Sequence, residues 1–201
     1  MKSYPSIATK IISDTPIFLF DKLDGSNIRA EWNKKKEFYK FGSRTRLIDD
    51  SSPILGESVS LINEKYSEEL SKRFFDNKYE SVVCFFEFSG ESSFAGSHIE
   101  ELHDVTLFDI DVYKKGLLSP QQFIEITEDL DVAKLLFTGL ITPEIIEQIR
   151  MGTFEGMTFE GVVAKCLVKK QIKMFKIKAQ QWLDRLKTHC NGDMDLFERL
   201  K

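Results

Sequence analysis

The run Phe20-Asp21-Lys22-Leu23-Asp24-Gly25-Ser26-Asn27 places a lysine in a polar turn directly after the apolar stretch Ile17 to Phe20. A lysine amine becomes a nucleophile only when its pKa falls, which partial burial or neighbouring positive charge, a metal ion included, achieves. Nearby carboxylates acting alone oppose that shift. Further along, alternation through Lys173 to Lys178 puts Met174, Lys176 and Lys178 on one strand face and Lys173, Phe175 and Ile177 on the other. Lys176 and Lys178 then project together and can hold adjacent phosphate oxygens through charge-assisted hydrogen bonds, although a merely exposed strand face has the same pattern.

Charge is unevenly spread around these residues. Eight basic and three acidic residues lie between Lys22 and Arg46, eight basic and one acidic between Lys165 and Lys187, and four basic against thirteen acidic between Glu100 and Glu160. A fold that brings the two basic stretches together makes a positive cleft suited to phosphates, a nucleotide or a polynucleotide backbone. The whole chain, with Lys+Arg 28 against Asp+Glu 32 and a formal net charge of -4, is not a cationic nucleic-acid coat.

The 201 residues are 42% hydrophobic and 30% charged, which fits one folded domain with a substantial core or two very small ones and excludes disorder over most of the length. Cys84, Cys166 and Cys190 form no CxxC, so a disulfide-built scaffold and a cysteine-rich zinc module are both excluded. His189-Cys190 is an isolated pair and His98 and His103 stand five apart, so these groups are assigned structural or surface roles. With no apolar run of signal length before Asp14 and no membrane-spanning stretch, the expectation is a soluble intracellular or cytoplasmic protein without a membrane partner.

The elements that would position Lys22 read as strand material. Ile17 to Phe20 enters the polar turn, and Ile28, Ala30 and Trp32 leave it in alternation with polar residues. Phe38 to Phe41, Leu47-Ile48, Ser81 to Gly90, Asp104 to Gly116, Thr158 to Leu167 and Ile172 to Lys178 also have strand character. Leu61, Ile62, Tyr66, Leu70 and Phe74 predict a one-sided helix within 60–75. Ser119-Pro120 and Thr142-Pro143 mark the starts of helices over 120–129 and up to Arg150, and a further helix is predicted from Ala179 to Lys187. This order lacks steady strand–helix exchange. It predicts an α+β domain with twisted antiparallel or mixed sheets and flanking helices rather than a doubly wound sheet.

The segment Lys22-Leu-Asp-Gly-Ser-Asn27 resembles motif I of the covalent nucleotidyltransferase superfamily, which comprises ATP-dependent RNA ligases, DNA ligases and messenger-RNA capping enzymes. Asn27 stands where the latter two usually have arginine, which makes the form most similar to the RNA ligases. Gly42-Ser-Arg-Thr-Arg46 resembles the arginine-containing segment after motif I. Phe85-Phe-Glu-Phe-Ser-Gly90 looks like motif III, Leu107-Phe-Asp-Ile110 like motif IIIa, Glu160-Gly-Val-Val-Ala-Lys165 like motif IV and Lys176-Ile-Lys178 like motif V. The ordered set spans residues 22 to 178.

The resemblance implies an ATP-grasp-like ligase adenylation domain and ATP-dependent RNA ligation. Lys22 would carry a covalent AMP, pass it to an RNA 5′-phosphate, and a 3′-hydroxyl would then seal the end. Glu87 would accept a hydrogen bond from a ribose hydroxyl, and Phe108 would stack on adenine or pack with Ile110 and Val112, which share its face by simple alternation. Glu160 would face the phosphates and help hold a divalent cation, Mg²⁺ by default with Mn²⁺ able to substitute; Asp24 would orient the turn or contribute to that metal site. Lys176 and Lys178 would bind the α-phosphate. Arg44 would contact the adenylate or an RNA phosphate, and Asn27 the acceptor's phosphate. Lys165 is a further phosphate contact, but simple alternation puts it opposite Glu160, so both face a nucleotide only if the chain bends between them.

Only about 23 residues follow Lys178, too few for the oligonucleotide-binding barrel that DNA ligases and capping enzymes usually add. One minimal nucleotidyltransferase domain over 1–201 is therefore expected, with RNA contact from its own surface or from an accessory RNA-binding protein, unless the chain is a fragment. A minimal ATP-dependent DNA ligase and a non-enzymatic RNA-end-binding protein are the alternative readings.

Overall fold

The computed structural model describes residues 1–91, 93 and 100–201; His98 lies outside them. In chain order the elements are β1 (Ile17–Lys22), β2 (Ser26–Asn33), β3 (Glu37–Ser43), β4 (Leu47–Ile48), α1 (Glu57–Asp76), β5 (Ser81–Ser89), β6 (Asp104–Val112), β7 (Gly116–Leu117) and α2 (Pro120–Ile126). They continue with β8 (Leu135–Gly139), α3 (Pro143–Met151), β9 (Gly161–Val168), β10 (Gln171–Lys178), α4 (Gln180–His189) and α5 (Met194–Leu200). The architecture is α+β, and every pairing between these strands is antiparallel. Two isolated parallel bridges, Ala8 to Phe175 and Leu107 to Val132, lie outside the strand pairings.

The chain divides into two compact units, one of Met1–Pro5 with Gly25–Val132 and one of Ser6–Asp24 with Ala133–Lys201. The first holds a six-stranded sheet in the order β4-β3-β2-β5-β6-β7. Helix α1 buries Val59, Ile62, Tyr66, Leu70 and Phe74, a spacing of three and four residues that makes one apolar stripe. Trp32 Nε1 donates to Ser71 Oγ at 2.9 Å, and the indole meets the Phe74 ring edge-on at 5.2 Å. Burying the indole therefore leaves no donor unsatisfied. Helix α2 opens on a capping box between Ser119 and Gln122 with Pro120 in the first turn. It stops at Ile126, short of the predicted 129, where the Thr127 hydroxyl donates to Phe123 O at 2.7 Å and Asp129 turns left-handed.

The second unit holds a four-stranded sheet in the order β10-β9-β1-β8. Its apolar face joins Ile17 and Leu19 to Val162, Ala164, Cys166, Phe175 and Ile177, with Ile141 and Ile149 packed against them. Helix α3 begins at Thr142, whose hydroxyl accepts from Ile145 N, and ends at the left-handed Gly152. Three elements have no counterpart among the sequence expectations: β7, which folds back on β6 where the sequence predicts a single strand to Gly116, β8, which pairs with β1, and α5, which buries no residue. The three cysteines are buried and unpaired. Among the described residues no helix is long and apolar enough to cross a membrane.

Candidate active site

Pairing in the second unit aligns its polar residues in rows. Across β1, β9 and β10, Phe18 faces Lys165 and Met174, Phe20 faces Val163 and Lys176, and Lys22 faces Gly161 and Lys178. Side chains alternate, so these rows share the face opposite the apolar core. One sheet face thus presents Lys22, Lys165, Lys176 and Lys178.

Glu160 precedes β9 and joins the Lys22 row. Its Oε2 lies 2.7 Å from Lys22 Nζ and its Oε1 2.7 Å from Lys178 Nζ, and the carboxylate is 3% exposed. Strict alternation would send Glu160 to the opposite face from Lys165; the bend that prevents this is at Gly161, where φ is +139°. A Cβ there would stand 2.2 Å from Ile177 O and 2.8 Å from Lys178 Cα, so only glycine permits β10 to approach so closely. Ala179 N donates to Glu160 O at 3.0 Å and fixes the backbone on the other side of the bend.

Burial lowers the Lys178 ammonium to about 8. Glu160 opposes that fall, and Lys22 and Lys176 reinforce it by like-charge repulsion. Lys178 Nζ also sits 3.6 Å from the ring centroid of the buried Trp182, a cation–π contact from the first turn of α4. Lys165 is 3% exposed with Nζ 4.9 Å from the Phe20 ring centroid. Lys176 Nζ donates to Lys201 O at 2.6 Å. Asp21, on the core side, accepts from Thr158 N at 3.0 Å, and burial pushes its carboxyl above the ordinary range. Asp24 follows β1 and is buried.

The first unit carries the remaining predicted residues. Asn27 pairs with Glu87, which pairs in turn with Thr106, so Asn27 and Glu87 share one sheet face. Phe108 does not share a face with Ile110 and Val112 as simple alternation predicts. A bulge sets Phe85 opposite Asp109 and Phe86 opposite Leu107, leaving Phe108 as the extra residue. The Phe108 ring instead meets Tyr4 edge-on at 5.0 Å and lies 6.3 Å from Phe85. Tyr4 donates to Asp109 Oδ2 at 2.8 Å; burial first, then Asp109, pushes its phenol well above the usual value. Arg44 is exposed on the turn between β3 and β4. The buried arginine nearby is Arg29, which donates to Ser43 O from Nε at 3.0 Å. His103 Nδ1 lies 2.6 Å from Glu57 Oε2 and its ring packs 4.7 Å from that of Phe88.

Gly161, Trp182, Asp21 and Tyr4 are therefore parts of these two constellations that motif reasoning did not single out. The signal for Gly161 was its place directly after a charged residue and before an apolar strand, where a bend is the only way to reverse a face. Among the described residues no group of three or more His, Cys, Asp or Glu side chains is arranged to hold a metal ion. A single carboxylate such as Glu160 fits only a cation held chiefly by phosphate oxygens and water.

This fold is of the RNA ligase nucleotidyltransferase type, and comparison with solved structures shows it. An RNA ligase of Naegleria gruberi in a mutant form with ATP and Mn is similar with a TM-score of 0.67 and 16% identity over 92% of this chain and 58% of that one. A mutant form with AMP and Mn gives 0.64 and 17% over 86% and 52%, and the form with PPi gives 0.64 and 18% over 87% and 52%. The chain thus spans little more than half the length of these ligases. No family model matches the sequence, and no curated protein sequence matches it.

Proposed function

We propose that the chain is the nucleotidyltransferase domain of an ATP-dependent RNA ligase. The observation that carries this reading is the Glu160 carboxylate bridging Lys22 of β1 and Lys178 of β10, the two strands that flank β9, at 2.7 Å each. In this reading Lys22 Nζ attacks the α-phosphorus of ATP; a P–N bond forms, the bond to the bridging oxygen breaks, and pyrophosphate leaves. A carboxylate in contact with an ammonium favours its charged form. Glu160 therefore has to release Lys22 before the amine sheds its protons.

Lys178 and Lys176 then oppose the charge that grows on the α-phosphoryl oxygens. Lys178 suits this task because Trp182 and Glu160 hold its ammonium in place. Lys165 is assigned a phosphate contact. Glu87 is assigned a ribose hydroxyl and Phe108 the adenine face, the bulge at Phe108 being what turns its ring out of the α1 core. Glu160, with Asp24, would hold Mg²⁺ or Mn²⁺ among phosphate oxygens, where the cation supplies Lewis-acid charge neutralisation. AMP next passes to an RNA 5′-phosphate, which Arg44 and Asn27 would contact, and a 3′-hydroxyl displaces AMP to leave a phosphodiester.

The test is transfer of label from α-labelled ATP to protein with Mg²⁺ or Mn²⁺. Wild type is expected to form an acid-labile adduct that Lys22→Ala abolishes. Matched RNA and DNA nicks then decide polymer class. No adduct from folded, AMP-free wild type with either metal refutes the reading and favours an RNA-end-binding protein.

A further inference from the structure

The hairpin between β9 and β10 turns on two residues, because Val168 pairs with Gln171 across it. Those residues are Lys169 and Lys170, with φ of +49° and +65°. Two successive left-handed residues match the twist of a hairpin, and Asn-Gly is the pair that adopts this turn with least strain. Lysine at either position forces its Cβ against the chain's own carbonyl. No packing offsets that strain, since both side chains are exposed. Backbone strain held without a structural return is a pointer to function.

The charge around the turn is of one sign. From Lys165 to Leu183 the sequence has six lysines and no aspartate or glutamate. Lys173, on the strand leaving the turn, is exposed as well. Two other hairpins carry lysines and differ: at Lys34 to Lys36, Lys34 Nζ is ion-paired with Glu80 at 2.6 Å and Glu31 and Glu37 flank the tip, and at the β6–β7 turn Lys114 Nζ lies 5.3 Å from the Tyr113 ring centroid and Lys115 Nζ 4.9 Å from that of Tyr79. From the Lys178–Gly161 pair to the Gln171–Val168 pair is seven ladder steps. At the rise of a strand this is about 23 Å, the span of several nucleotides.

We infer that the Lys169–Lys170 turn is a docking surface for the phosphate backbone of an RNA strand whose reacting end is handled at the Lys22 row. The inference rests on the ligase reading and adds to it where this unit grips its polymer. Contacts to phosphate are made by charge alone and carry no sequence preference. The ATP half-reaction needs no polymer, so the turn lysines have no part in it.

Two double variants separate charge from strain. Lys169→Asn with Lys170→Gly removes both charges and relaxes the turn. Lys169→Gln with Lys170→Gln removes the charges and keeps the strain. Four readouts are taken on the full chain: protein label from α-labelled ATP, affinity for a 5′-phosphorylated single-stranded RNA across a salt series, binding to vesicles of anionic phospholipid, and the unfolding temperature. Both variants are expected to label like wild type. Each loses two phosphate contacts, so the slope of log affinity against log salt drops by about 1.4, or about 25-fold weaker binding at 0.1 M salt, whatever the RNA sequence. Only the Asn-Gly variant gains in unfolding temperature, by about 2–6 °C.

Unchanged RNA affinity and salt slope in both variants overturns the inference, as does a loss confined to one RNA sequence. Loss of binding to anionic vesicles with RNA affinity intact overturns it in favour of a membrane surface. A wild type that never labels with ATP refutes the ligase reading instead, so the two failures are distinguishable.

Discussion

Replacing Gly161 by alanine tests whether the bend before β9 is what assembles the lysine–glutamate cluster. The residue sits at φ +139°, where a side chain costs about 1–3 kcal/mol in backbone strain. The added Cβ would stand 2.2 Å from Ile177 O, against an ordinary contact of 3.4 Å or more, so β10 must withdraw by about 1 Å. That displacement weakens the ladder at the Gly161–Lys178 pair, at about 0.5–1.5 kcal/mol per hydrogen bond lost. The sum is a destabilisation of about 2–4 kcal/mol, read as a lower urea midpoint. The same shift carries Lys178 Nζ away from Glu160, and a misplacement of this size costs about 100-fold in a positioned reaction. Adduct formation from α-labelled ATP should fall by about that factor. Gly116→Ala is the control: its φ is +87° but nothing lies within 4 Å of the new Cβ, so it should lose only about 1 kcal/mol and label normally. A Gly161→Ala protein within about 0.5 kcal/mol of wild type that still labels at full rate would refute the reasoning.

Glu160→Gln leaves Lys22 and Lys178 without their carboxylate, and loss of one partner from so buried a pair is expected to cost about 3–5 kcal/mol and to abolish labelling; labelling at the wild-type rate contradicts the assignment. Asp21→Asn keeps the acceptor for Thr158 N but removes a carboxylate whose pKa burial has raised. A raised carboxyl lets the folded state bind more protons just above the unfolded pKa, so its cost sets in as pH rises through that window and persists at pH 7. The variant should match or exceed wild type in urea at pH 7 and lose that advantage below pH 3.8; an advantage independent of pH excludes this cause. Tyr66, its hydroxyl 2.7 Å from Asp131 O and 2.9 Å from Val105 O, has a phenol pushed up to about 12 by burial. Its contribution is whole below pH 10 and lost as pH climbs through 12, so Tyr66→Phe should flatten the alkaline fall in stability measured between those values.

Where burial and alternation agree, local pattern suffices to place a side chain. Phe175 and Ile177 lie in the apolar core, which sends Lys176 and Lys178 to the other face as their spacing predicts. Alternation fails where the backbone breaks step. Phe108 is displaced by a bulge that depends on how β5 pairs with β6, and Glu160 is turned by the conformation of one glycine. The bulge is not encoded in the neighbouring residues alone, and the glycine marks a place where the chain can bend, its conformation set by the close approach of β10. Strand β8 escaped because Leu135, Leu136 and Phe137 form an unalternating apolar run on an edge strand, with Leu135 exposed. Helix α5 escaped for the opposite reason: it has an Asp193 cap but buries nothing, so no apolar stripe announces it. Fold class depends on many residues and survives such local errors, whereas a site depends on a few.

Register ties the core of the second unit to its cations. The row Leu19, Ala164 and Phe175 is fully buried, and it lies between the row holding Lys165 and the row holding Lys176. A slip of one residue along β10 would turn Lys176 and Lys178 into the core and Phe175 out of it, and one along β9 or β1 would turn in Lys165 or Lys22. Burying an unpaired ammonium is far more costly than the loss of one apolar contact, so the lysines specify the register as firmly as the core does. The same slip would separate Lys22 and Lys178 from Gly161, between which they are aligned. Charges that a phosphate-handling reading needs on one face are therefore also a reason the sheet has a single arrangement. Stability and site geometry in this unit should accordingly fail together when the ladder is disturbed and separate only for changes at side-chain tips.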